Sequence, residues 1–99
     1  MIFIIGNLED NESPSAFQCA EDLLTINNEY SVNQARIKAC LPPTISDLEY
    51  LNFSYALMGL CNKIYLVKGW EKSYIAKKQL VFALNHCYDI YPEGDGNAY

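Results

Sequence analysis

Met1-Ile-Phe-Ile-Ile5 is an unbroken apolar, β-branched run that stops at Gly6-Asn7. A strand with one wet face alternates apolar and polar residues, so an unbroken run of this length implies a strand covered on both faces. Such strands belong to parallel sheets, and successive parallel strands need a helical crossover between them. The rest of the chain reads accordingly. Ser13-Pro14 has the form of a helix N-cap followed by proline at the first helical position. Ala16, Phe17, Ala20, Leu23 and Leu24 then recur at the three- and four-residue spacing of one helix face, up to Asn27-Asn28. Arg36–Leu41 is read as a weaker second strand closed by Pro42-Pro43.

Ser46 with Glu49 three positions later forms a capping box. It opens a helix carrying Leu48, Leu51, Tyr55 and Met58, widened by Phe53, Ala56, Leu57 and Leu60, with Gly59 as an internal flaw. Lys63–Val67 is a third strand, and Lys68-Gly69-Trp70 turns the chain. Ser73 caps a third helix that buries Ala76, Leu80, Ala83, Leu84 and Cys87, and Tyr88–Tyr91 is a short fourth strand before Pro92. The order β-α-β-α-β-α-β predicts a small doubly wound α/β sandwich of the flavodoxin or Rossmann-like kind. It has three layers around a four-stranded, mainly parallel sheet. One domain is expected over residues 1–92, with 93–99 as a flexible tail.

Composition narrows the function. Hydrophobic residues make up 51% of the chain and charged residues 19%, which suits a folded domain and not a disordered one. No apolar run approaches the ~20 residues of a membrane span. The first five residues are too short for a signal peptide and lack a basic flank, so a cytoplasmic protein is expected. Cys19, Cys40, Cys61 and Cys87 lie among apolar neighbours without a C-x-x-C pair, and His86 is the only histidine. Buried reduced thiols and no metal or cofactor are the expectation, with His86 packing rather than reacting.

The net charge of −5 disfavours long nucleic acids as partners, yet its layout is uneven. Residues 1–50 hold eight acids and two bases, whereas residues 51–99 hold four acids and five lysines, all between Lys63 and Lys78. These lysines surround the strand-to-helix turn at Lys68–Ser73. Ligands in doubly wound sheets bind beyond the carboxyl ends of the strands. This rule marks Gly6–Asp10, Leu41–Pro43, Lys68–Ser73 and Pro92–Asp95. A helix start flanked by Lys68 and Lys72 attracts a phosphate or carboxylate, and Trp70 offers a flat face to a base. The alternative is that Trp70 plugs the end of the sheet and the lysines are simply solvated. Neither a G-x-G-x-x-G nor a P-loop motif is present.

With Gly6, Ala16-Phe17, Ala20 and Leu23, Pro42, Tyr50, Leu60-Cys61, Ile64-Tyr65-Leu66 and then Gly69-Trp70, Ser73 and Ala76, the chain resembles the nucleoside 2-deoxyribosyltransferase-like superfamily. The likeness is to its short branch, frequent in bacteriophages. The G-W-x-x-S-x-x-A segment is the specific part. The resemblance implies a site for a nucleoside or nucleotide-like small molecule formed by Gly6, Asn7, Pro42, Lys68, Gly69, Trp70, Lys72 and Ser73. It puts Gln79 at the position where active members carry a nucleophilic glutamate. Glycosyl transfer through a covalent intermediate needs a carboxylate there, and an amide is a very poor substitute. Ile75 stands at a usual glycine, and Ser54 and Asn62 stand where acids are frequent.

The leading expectation is a non-catalytic nucleoside- or nucleotide-binding protein, encoded by a phage and acting on host nucleotide metabolism or defence signalling. The alternatives are an active nucleoside or nucleoside 5'-phosphate N-glycosidase or deoxyribosyltransferase, and a protein-interaction module with a vestigial pocket and a host protein as partner. A homodimer through the broad apolar second helix is also expected, as the superfamily commonly assembles through its second and third helices.

Overall fold

Ile2–Ile5 forms β1, and all four of its side chains are buried, as the unbroken apolar run requires. The computed structural model describes residues 1–9 and 13–94. Its remaining elements are α1 (Ser13–Ile26), β2 (Ser31–Val32), α2 (Gln34–Ala39), α3 (Asp47–Met58), β3 (Lys63–Leu66), a 3₁₀ turn (Trp70–Lys72), α4 (Tyr74–Asn85) and β4 (Asp89–Pro92). The strands lie in the order β2-β1-β3-β4, all parallel. The fold is thus an α/β sandwich with helices on both faces of a four-stranded sheet, as the sequence predicts. Asp10 of the Gly6–Asp10 segment, with residues 11 and 12, and residues 95–99 of the expected tail lie outside the described residues.

Alternation along each strand divides the core in two. Phe3, Ile5, Ile64, Leu66 and Ile90 face α3 and α4, where they meet Met58, Cys61, Ala76 and Ala83. Ile2 and Ile4 face the other way and are covered by Phe17, Ala20 and Leu24 of α1. A third cluster of Tyr50, Leu51 and Ile75 joins the N-terminal turns of α3 and α4.

The second strand departs from expectation. Arg36–Leu41 is not extended; residues 34–39 form α2, and β2 is only Ser31–Val32. The reason is local. The Asn33 side chain accepts hydrogen bonds from the backbone N–H of Ala35 and Arg36, which caps a helix. The alanines, lysine and arginine that follow are good helix formers.

The other caps fall where serine puts them. Ser46 and Glu49 make both bonds of the capping box, at 3.1 and 3.0 Å. Gly59 is the C-cap of α3 and not a flaw within it. Helices α1 and α4 both end on a left-handed residue, Asn28 (φ 61°) and Cys87 (φ 60°). In each case the next residue donates back into the last turn, Glu29 to Leu24 and Tyr88 to Ala83.

Three of the four cysteines are also not where the apolar flanks suggest. Only Cys61 is buried; Cys19, Cys40 and Cys87 are exposed, and all four are free thiols. Ala16, Leu23 and Leu84, read as core, are exposed too, because each lies at the margin of its helix stripe. Among the described residues, no helix is long and apolar enough to cross a membrane, and no cluster of three or more His, Cys, Asp or Glu could hold a metal.

Candidate functional site

Strand order reverses around β1. The chain goes from β1 to one edge (β2), and then crosses back to build β3 and β4 on the other side of β1. The carboxyl ends of β1 and β3 therefore flank the crevice in which ligands of such folds sit. Gly6 ends β1 there and is buried. A Cβ on it would stand 3.1 Å from the Phe17 ring and 3.1 Å from Val67 Cβ, so glycine is required for α1 to seat against the strand ends. Asn7 Oδ1 accepts the Glu9 N–H at 3.0 Å and shapes the following turn.

After β3, Gly69 adopts φ +91°, a conformation disfavoured for residues with a side chain, and the 3₁₀ turn follows. Ser73 then caps α4, its Oγ accepting the Ala76 N–H at 3.1 Å, with its own side chain fully buried. The glycine turn and capped helix expected from Lys68–Ser73 are thus in place.

Beneath these turns lies a closed polar network. Gln34, Tyr50 and Gln79, from α2, α3 and α4, are 0%, 1% and 0% exposed. The two amides bond reciprocally: Gln34 Nε2 donates to Gln79 Oε1 at 3.0 Å, and Gln79 Nε2 donates to Gln34 Oε1 at 2.7 Å. Gln34 Nε2 also donates to the Ile4 carbonyl at 2.7 Å, and the Tyr50 hydroxyl donates to Gln34 Oε1 at 2.8 Å. Gln34 thereby uses both donors and both lone pairs of its amide, which is what burial demands of it. Burial pushes the Tyr50 phenol well above its ordinary range, so it remains a neutral donor.

The expected ligand residues do not converge on Gln79. The Lys68 backbone N–H donates to Glu93 Oε2 at 2.7 Å, so a carboxylate of the chain already occupies this amide. The Lys68 side chain runs over Gly94, where an added Cβ would meet Cε and Nζ at 3.3 Å. Trp70 packs towards β4, where it lines a 250 Å³ apolar groove with Leu80, Leu84 and Ile90. This is closer to the plugging alternative than to an open stacking face. Lys72 is exposed. Pro42 lies in a separate 590 Å³ depression with Lys38, Leu41, Ile45 and Asp47. His86 is exposed, stacks on Phe82 with ring centres 4.1 Å apart, and lies away from the strand ends.

The residues that build the network are partly invisible in the sequence. Nothing there singles out Gln34, because it lies 45 positions from Gln79 and an amide has no charge or motif to reveal it. Glu93 reads as one more exposed loop acid, yet its backbone N–H is also fixed, donating to the Leu66 carbonyl at 2.8 Å.

Residues 3–91 match a family profile described as a domain of unknown function, DUF4406. The match covers most of the chain, which therefore belongs to that family. Comparison with curated proteins and with solved structures gives no match.

Proposed function

We propose that this DUF4406 chain is a non-catalytic binding protein of the deoxyribosyltransferase-like type, taking a nucleoside or nucleotide-like small molecule at the carboxyl ends of β1 and β3. The observation that carries the reading is the sealed amide pair. At the position expected to hold the reacting carboxylate, Gln79 is neutral, fully buried and bonded reciprocally to Gln34. It lacks the negative charge to meet an oxocarbenium-like centre, and its amide is held by Gln34 inside the core. Each 1.4 kcal/mol added to a barrier slows a reaction about tenfold, so loss of a covalent nucleophile stops useful turnover.

The anionic part of the ligand is supported by Glu93. A backbone N–H that holds a carboxylate oxygen at 2.7 Å is a donor suited to a phosphate or carboxylate. In this reading Glu93 holds the position until ligand displaces it. The Lys68 ammonium adds positive charge close by, over Gly94, with Lys72 in the 3₁₀ turn that follows, and the host cytoplasm of a phage infection would be the setting.

Calorimetric titration with nucleosides, their 5'-monophosphates and cyclic nucleotides tests the proposal, with free base followed by chromatography. Binding without base release is expected, and Glu93→Gln should tighten the phosphorylated ligands severalfold by weakening the internal competitor. Base release by the wild-type protein would establish the active glycosidase or transferase instead. Silence across the panel would favour the interaction module. That second reading has its own support in Ile75, which is 1% exposed and fills the space beside Tyr50 and Leu51 where a glycine would leave room.

A further inference from the structure

The two faces of the sheet are unequally covered. On the α3/α4 face Ile64, Leu66 and Ile90 are fully buried or nearly so. On the other face α1 covers Ile2 and Ile4 of β1. The β3 and β4 positions of that face are Lys63, Tyr65, Asp89 and Tyr91, since their neighbours Ile64, Leu66 and Ile90 point the opposite way. Lys63 and Tyr65 are half-buried, Asp89 is exposed, and Tyr91 is 36% exposed. Between these strands and the flank of α1 runs a 310 Å³ groove whose wall includes Leu23, itself 47% exposed. A parallel sheet normally has both faces covered, and among the described residues α1 reaches no further across this face than Tyr65.

The strand register makes this half-face complementary to itself. Lys63 pairs laterally with Asp89, and Tyr65 with Tyr91. A two-fold axis running along the strands, between β3 and β4, lays β3 of one copy over β4 of a second. Each Lys63 then stands opposite the other copy's Asp89, and each Tyr65 opposite the other copy's Tyr91. An isologous interface needs such a patch, in which every group meets its own complement. Lys63 is free to make the contact: its bond to Glu29 is long, at 3.8 Å, and both side chains are about one-third exposed or more. Neither ion pair among the described residues involves Asp89.

We infer that the open β3–β4 half-face is a homodimer interface, occupied by a second copy of this chain. This differs from the dimer through the second and third helices expected from sequence, and it is independent of the ligand reading. A standard interface takes ~800 Å² from each partner, about one seventh of the 5960 Å² surface of this chain.

Sedimentation velocity on the full chain from roughly 1 to 100 μM tests the inference, because that span brackets the affinities of ordinary weak and moderate dimers. A concentration-dependent dimer is expected. Lys63→Asp and Asp89→Lys should each weaken it about tenfold or more by facing like charges, and the double reversal should restore it to within about threefold of wild type. Tyr91→Lys should leave only monomer, with an unchanged far-UV circular dichroism spectrum. A wild-type monomer at the highest concentration overturns the inference. So does a dimer that the charge reversals and Tyr91→Lys leave intact, since its interface must then lie elsewhere.

Discussion

Gln79→Glu puts a carboxyl group where the structure has room only for a donor and an acceptor side by side. Gln79 Nε2 lies 2.7 Å from Gln34 Oε1, so an ionised carboxylate in its place would set two acceptors against each other. Rotating the Gln34 amide offers no escape, because its oxygen would then face the Ile4 carbonyl now held at 2.7 Å by Nε2. A protonated carboxyl solves the problem: its O–H replaces the N–H, and its carbonyl oxygen replaces Oε1. The variant should therefore fold with a neutral glutamic acid whose pKa is raised by burial and by the facing oxygen.

A glutamate titrates at ~4.3 in an unfolded chain and can exceed ~7 when fully buried. A raised folded pKa gives stability that is intact below ~4.3 and is lost as pH rises towards the folded value. At ~1.4 kcal/mol per unit, the loss at pH 7 is about 3–4 kcal/mol, a large share of the ~5–15 kcal/mol that hold a domain together. Urea unfolding of wild type and variant from about pH 4 to 8 measures it, and taking the difference cancels the titration of all other groups. The difference should be small at the acidic end and grow steadily with pH. A difference independent of pH would refute the account of a sealed, reciprocally bonded site.

Four further outcomes follow from particular residues. Tyr50→Phe removes one of the two donors to a buried oxygen, Gln34 Oε1, and should cost about 1–2 kcal/mol in chemical denaturation, independent of pH below 9. Gly69→Ala should cost about 1–2 kcal/mol, because φ is +91° although there is open space for the added methyl. Cys87→Gly should do the reverse at the end of α4 and raise the thermal midpoint, relieving a side chain at φ 60° by about 1 kcal/mol. The Ser46 backbone and hydroxyl hold the Glu49 carboxylate below its ordinary 4.5, so the capping box contributes stability above that pH and loses it as pH falls. The stability difference between wild type and Glu49→Gln should accordingly narrow between pH 5 and 3 in thermal scans.

Elements with strong local signals are legible in the sequence. The unbroken β1 run, the Ser46 and Ser73 caps and the three-and-four spacing of α3 and α4 each depend on residues within a few positions of one another. The second strand is misplaced by such a reading because β2 has only two residues and its helix only six. Asn33 is the available sign, as a short polar side chain preceding helix formers. The site is less legible. Gly69 and Ser73 announce the turn, but the direction of Trp70 depends on Leu80, Leu84 and Ile90 across the fold. The partners of Gln79 come from elements remote in sequence, and hydrogen bonds between neutral amides follow from packing alone. Cys19 misleads because apolar flanks report the helix and not which side of it a residue occupies, and Cys40 and Cys87 because they lie just past helix ends.

The central place of β1 sets the order in which the chain can protect itself during synthesis. Ile2–Ile5 is made before every other described element, yet its full-length partner is Lys63–Leu66, in register 61 positions later (63 − 2 = 61). At translation rates of ~5–20 residues per second, the β3-facing edge of this apolar strand waits unpaired for about 3–12 seconds. During that interval only the short β2 and the α1 face can shield it. This domain is thus most open to wrong association before Lys63–Leu66 has emerged, and a chaperone with affinity for extended apolar peptide would meet it there.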